Sequence, residues 1–134
     1  MSFIFGIFLG FFLPAYSDYT SRTHVAEGLA LASGVKFAVV DYYHTHETFP
    51  PDNAAAGLAA AKDIRGNAVE SVEVSTTGSG TTAMGLITVT YNKKVKAGKT
   101  IILSTQDRDG KGTLVFECTG GTLENKFRPA QCRK

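Results

Sequence analysis

The sequence predicts an α+β fold: a long N-terminal α-helix packed on a four-stranded antiparallel sheet, with a C-terminal loop bounded by two cysteines. Three observations carry this reading. From Ala15 to about Tyr43, apolar residues recur at steps of three and four. The second half of the chain breaks into short runs that alternate with period two. The two cysteines, Cys118 and Cys132, both stand near the C-terminus. A chain of 134 residues fits a single domain, residues 1–134, with a modest core. Its 43% hydrophobic and 19% charged content argues against disorder throughout, and a net charge of +2 does not by itself indicate a nucleic-acid binder.

The first element opens with an uncharged run, Met1 to Leu13, in which Phe3, Phe5, Phe8 and Phe12 stand out. As a helix the run reaches roughly 20 Å, short of the ~30 Å hydrocarbon core of a bilayer. No basic segment precedes it, and no small-x-small site follows it cleanly. It therefore reads as a retained helix tip, residues 1–13, buried in a membrane or in a partner. A cleaved signal peptide is the alternative. Pro14 marks the junction, where a kink is expected, with an amphipathic helix over residues 14–43. Its semi-apolar stripe is Ala26, Leu29, Ala30, Ser33, Phe37 and Val40, among small residues that permit close approach of another backbone. Tip and stripe together make about 60 Å of helix, longer than a small domain needs.

Phe49-Pro50-Pro51 ends the helix and opens a connecting segment, residues 44–68. Within it, Asp52 or Asn53 is placed to cap a short helix over Ala54 to Lys62. Residues 69–118 then hold the sheet. Its strands are expected at Val69 to Val74, Leu86 to Tyr91, Thr100 to Thr105 and Thr113 to Cys118. Gly- and Ser-rich stretches, Ala97-Gly98 and Asp109-Gly110 supply the turns. Beside an apolar N-terminus, Cys118 and Cys132 read as one disulfide of an exported protein, bounding residues 118–132. Closing a loop of that length contributes about 3 kcal/mol in the chain-entropy account.

Residues that carry chemistry are few. His44 and His46, followed by Glu47, are candidate metal ligands, yet His-x-His converges only in an extended segment and a third ligand is missing. A solvated helix end explains them more simply, and His24, alone on the helix, is expected to be exposed. Asp107-Arg108-Asp109-Gly110 looks like part of a calcium loop but lacks the third acidic ligand and the distant glutamate, so a turn is the better reading. No phosphate loop, nucleophile elbow or Cys/His pair is present, so neither catalysis nor a cofactor is expected. Basic residues gather at Lys93, Lys94, Lys96 and Lys99 and again at Lys126 and Arg128, followed by Arg133 and Lys134. If hairpin and tail lie side by side, they form a candidate track for DNA phosphates or a surface receptor. A solvated hairpin is the ordinary account.

At Leu13-Pro14-Ala15-Tyr16-Ser17-Asp18-Tyr19-Thr20-Ser21-Arg22 the sequence closely resembles the helix signature of type IVa pilins. Asp52 to Ala59, Ile64-Arg65-Gly66-Asn67 and Phe127-Arg128-Pro129-Ala130-Gln131-Cys132-Arg133 are similar to that family's helix-to-sheet loop and disulfide-closed tail. The resemblance implies a ladle shape, with Cys118 and Cys132 structural and the loop between them a surface contact region. It implies a homo-oligomeric filament whose core takes Phe3, Phe5, Phe8, Phe12 and Pro14, served by pilus assembly machinery and held in the inner membrane before assembly. The family roles are adhesion, twitching motility and DNA uptake at an extracellular pilus. Before Pro14 the sequence departs from the pattern: the basic leader with its cleavage site, and the early glutamate, have no counterpart in Met1–Leu13. That makes the N-terminus atypical and short. A DNA-binding minor pilin and a secreted soluble protein are the rival functions.

Overall fold

A computed structural model of the chain describes its backbone from Ser2 and its side chains from Tyr19 to the C-terminus. Helix α1 runs from Ser2 to His46. Four strands follow: β1 Val69–Thr77, β2 Met84–Tyr91, β3 Thr100–Thr105 and β4 Glu117–Gly120. They form one antiparallel sheet in the order β1-β2-β3-β4. The helix lies across its inner face. This is the expected architecture, with shifted boundaries.

The buried face of α1 is not the stripe that spacing alone suggested. Val25, Gly28, Ala32, Val35 and Val39 are buried, whereas Ala26, Ala30, Ser33 and Phe37 of the expected stripe face outward; Leu29 packs against the edge of the core and Val40 is half-buried. Both sets obey the same three-and-four rhythm, and the sheet selects between them. Val72, Val74, Ile87, Val89, Ile101 and Leu103 present a β-branched and aliphatic surface that interdigitates with the helix valines. Tyr91 sets the closest approach. Its ring lies over Gly28, where an added Cβ would come within 2.6 Å of the ring, and its hydroxyl donates to the Val25 carbonyl at 2.8 Å. Only a residue without a side chain fits there.

The helix continues past Tyr43 to His46, whose ring stacks on Tyr42 with centroids 4.0 Å apart. It stops at Glu47, which takes a left-handed φ of 60° while its N–H donates to the Tyr43 carbonyl. The expected helix over Ala54 to Lys62 is replaced by turns and a 3₁₀ turn at Ala61–Asp63. Asp52 does cap the Ala55 N–H, but Gly57 at φ 74° ends the run after one turn. Asn53 is buried. Its amide donates to Ala59 O and Val72 O and accepts from the Val74 N–H, tying the connecting segment to β1. The fourth strand pairs later than expected, over Glu117–Gly120, because Gly120 is the position that seats tightly against Ile102 of β3. Residues 113–116 approach as a loop, with Val115 71% exposed.

Cys118 and Cys132 form a disulfide with their Cα atoms 4.8 Å apart. Arg128, expected at the surface as a DNA contact, is fully buried inside this loop. Its Nε donates to Leu123 O at 2.8 Å, and its Nη1 bridges Cys118 O and Cys132 O at 3.2 Å each. The reason is local. The loop carries carbonyls that no strand can satisfy, and a guanidinium supplies several donors from one side chain. Among the described residues no carboxylate lies within ion-pairing distance of it, and burial holds its pKa below the ordinary arginine value. Arg128 is a structural residue and no part of any outward basic track.

Burial pushes the Tyr91 phenol far above its ordinary value of 10.0, so the unfolded chain loses this proton first and stability falls as pH rises past about 10. Tyr91→Phe should cost about 1 kcal/mol near neutral pH through the lost hydrogen bond. That deficit should shrink above pH 10, read as urea midpoints of both proteins; a constant deficit contradicts the account. Arg128→Met should destabilise by roughly 3 kcal/mol, comparable to replacing both cysteines by alanine. Since both changes loosen the same segment, the combined variant should lose less than their sum. An unchanged midpoint for Arg128→Met would overturn its assigned role.

Candidate functional site

Tyr91 also fixes which end of the domain carries the basic residues. Its bond to Val25 brings the β2–β3 turn, residues 92–99, beside the helix segment around Arg22 and Glu27. The Asn67 N–H donates to Glu27 Oε1 at 2.7 Å, and Lys94 reaches the Asn67 side chain. Lys96 pairs with Glu124, and Arg22 Nε donates to the Lys126 carbonyl at 2.7 Å. The hairpin lysines and the tail are thus brought together at one end of the molecule. Lys96 chiefly, then Lys126 and Lys99, hold the Glu124 carboxyl below the usual carboxylate range. Lys93, Lys94, Lys96 and Lys126 are exposed and Lys99 half-buried, with the Lys126 ammonium 4.9 Å from the Phe127 ring centroid. Of the proposed basic contacts, only Arg128 is absent from this surface.

The opposite end holds a cleft of about 630 Å³ among the end of α1, residues 80–83 and residues 107–112. The Tyr43 hydroxyl donates to Asp107 Oδ2 at 2.7 Å, and the Gly112 N–H reaches both Asp107 oxygens. The Tyr43 bond lowers the Asp107 pKa and raises that of the phenol. Asp109 accepts from the Lys111 N–H, so the calcium-like stretch is organised as a turn. His44 Nε2 donates to Gly112 O at 2.9 Å, and His46 lies on Tyr42. Among the described residues no three His, Cys, Asp or Glu side chains converge as metal ligands. His24, expected to be exposed, is half-buried with Nδ1 4.0 Å from Glu27.

The third surface is the outward face of α1. Tyr19 is 69% exposed and Phe37 78% exposed, and Ala26, Ala30, Ser33 and Gly34 lie between them. Large aromatic side chains left in water beside small residues form a surface suited to packing against another helix. Phe3, Phe5, Phe8, Phe12 and Pro14, with the expected kink, lie outside the residues whose side chains are described. Among the described residues no helix is long and apolar enough to cross a membrane. Sequence reading missed the burial of Arg128 and the Tyr43–Asp107 bond. The first had one available signal: a lone arginine inside a cysteine-bounded loop rich in unpaired carbonyls.

Comparison with known proteins fits this geometry. A family model for pilin, a bacterial filament protein, matches residues 21–133. The type IV major pilin protein PilE of Neisseria gonorrhoeae is 34% identical, over 97% of this chain and 86% of its own length. The fimbrial protein EcpC of Eikenella corrodens is 39% identical, over 97% and 82%. The type IV major fimbrial protein FimA of Dichelobacter nodosus is 32% identical, over 94% and 84%. The match reaches from α1 through the sheet to the disulfide-bounded tail, and with it the chain belongs to the pilin family.

Proposed function

We propose that this chain is a structural subunit of a type IV pilus, non-enzymatic, joining its neighbours through α1. The observation that carries the proposal is the outward helix face. A helix of 45 residues is about 68 Å long, while the part packed on the sheet, Val25 to Val39, needs only some 20 Å. The packed stretch buries one face and leaves Tyr19 and Phe37 in solvent on the other. Helix-to-helix packing between subunits is the economical way to cover both. The subunit is proposed to reside in the inner membrane before assembly, to be drawn from it by pilus assembly machinery, and to serve adhesion, twitching motility or DNA uptake at the extracellular pilus. Capture of DNA by a minor pilin keeps Lys93, Lys94, Lys96, Lys99 and Lys126 as candidate contacts, but not Arg128.

Phe37→Asp should therefore leave the urea midpoint of the isolated chain within about 0.5 kcal/mol of wild type, since the residue touches no core. In expressing cells it should sharply reduce filaments seen by negative-stain electron microscopy of the sheared surface fraction. Normal filament numbers carrying the variant along their length would refute the role given to this face.

A further inference from the structure

We propose that the basic end of the domain is a docking surface for an anionic lipid bilayer, seating the globular part flat on the membrane that receives the helix tip. The inference rests on the filament-subunit reading only for the tip's place in a membrane. Two features meet at this end. The helix positions before Val25 lead away from the domain on the Tyr91 side, where Arg22 is tied to Lys126, and they begin with an uncharged run to Leu13. Around that root stand Arg22, Lys93, Lys94, Lys96, Lys99 and Lys126.

Three carboxylates stand at this end, one of them Glu70, which shares a shallow hollow with Arg65 and Asn92. Glu27 is engaged by the Asn67 N–H, and Glu124 is engaged by Lys96. Lys93, Lys94, Lys99 and Lys126 are left without an acidic partner within ion-pairing distance among the described residues. The far end has no such excess, since Lys111 and Arg108 there are matched by Asp107, Asp109, Glu47 and Glu117.

A short apolar anchor holds a bilayer weakly by itself, and a polybasic patch at its root supplies the second signal that stable attachment needs. Each Lys or Arg at an anionic surface strengthens binding about fivefold, within a Debye length of ~10 Å. The favoured partner is a flat anionic surface that the helix enters. A DNA duplex would have to share the same end with the helix root, so it suits the geometry less well.

The chain contains no tryptophan, so single reporters can be introduced. Ala97→Trp places one in the exposed basic turn, and Thr81→Trp places one at the opposite end. The full chain is mixed with phosphatidylcholine vesicles containing or lacking phosphatidylglycerol, each with a nitroxide on the headgroup. Docking predicts quenching of Ala97→Trp and little of Thr81→Trp, with flotation favouring the anionic vesicles at low salt. The combined change Lys93→Glu, Lys94→Glu, Lys99→Glu should cut that preference by about a hundredfold. Equal quenching at both ends, or a preference that survives the triple change, overturns the proposal. Loss of duplex-DNA binding with intact lipid preference in the triple variant also overturns it and assigns the lysines to nucleic acid. Filaments that form normally while Ala97→Trp stays unquenched would sink the docking and leave the subunit reading standing.

Discussion

Everything in this molecule is referred to the seat of Tyr91 on the helix. A phenol that places its ring where Gly28 has no side chain and its hydroxyl on the Val25 carbonyl fixes the helix against β2 in depth, register and direction at once. The valine ladder on α1 then meets the aliphatic face of the sheet, and burial of these side chains supplies most of the driving force. The same contact decides that the β2–β3 turn lies at the end where the helix leaves the domain. A hydrogen bond of ordinary strength thus has consequences well beyond its own energy, because the surrounding packing admits only one arrangement.

The C-terminal region solves a different problem. It has little regular structure with which to satisfy its backbone, since β4 is short and the rest consists of 3₁₀ turns at Asn125–Phe127 and Ala130–Cys132. Two devices hold it. The disulfide restricts the unfolded chain, and Arg128 satisfies three carbonyls of the folded one. They converge on the same backbone, because one guanidinium nitrogen contacts the carbonyls of both half-cystines. Exposed positions of the loop add further ties, Glu124 to Lys96 and Thr122 to Thr100, so the segment is held to the sheet from outside as well.

The sequence was readable where a single period dominates. The alternation in Leu86–Tyr91 and Thr100–Thr105 reports a half-buried strand directly, and the cysteines declare their own partner. It was least readable where two solutions share one period. The stripe through Ala26 and Phe37 and the stripe through Val25 and Val39 are both helical, and only the sheet tells which is inside. Arg128 was misplaced for a related reason: charge is a good guide to exposure until a loop leaves more acceptors than donors. The hairpin and tail lysines could be listed from sequence, but their meeting at Glu124 is a tertiary fact. The alanine-rich segment failed as a helix because Gly57 and the buried Asn53 demanded turns.

Asn53 has a further effect on how such a protein can associate. β1 is an edge strand, and an edge offers unpaired amides and carbonyls to any passing chain. The Asn53 amide occupies that edge from within, mimicking a neighbouring strand at Val72 and Val74. For a subunit of the pilin family, sheet-to-sheet addition at this edge would yield an aggregate with no defined end. Blocking that edge with one side chain closes β1 to strand addition, and the other edge, β4, is only four residues long.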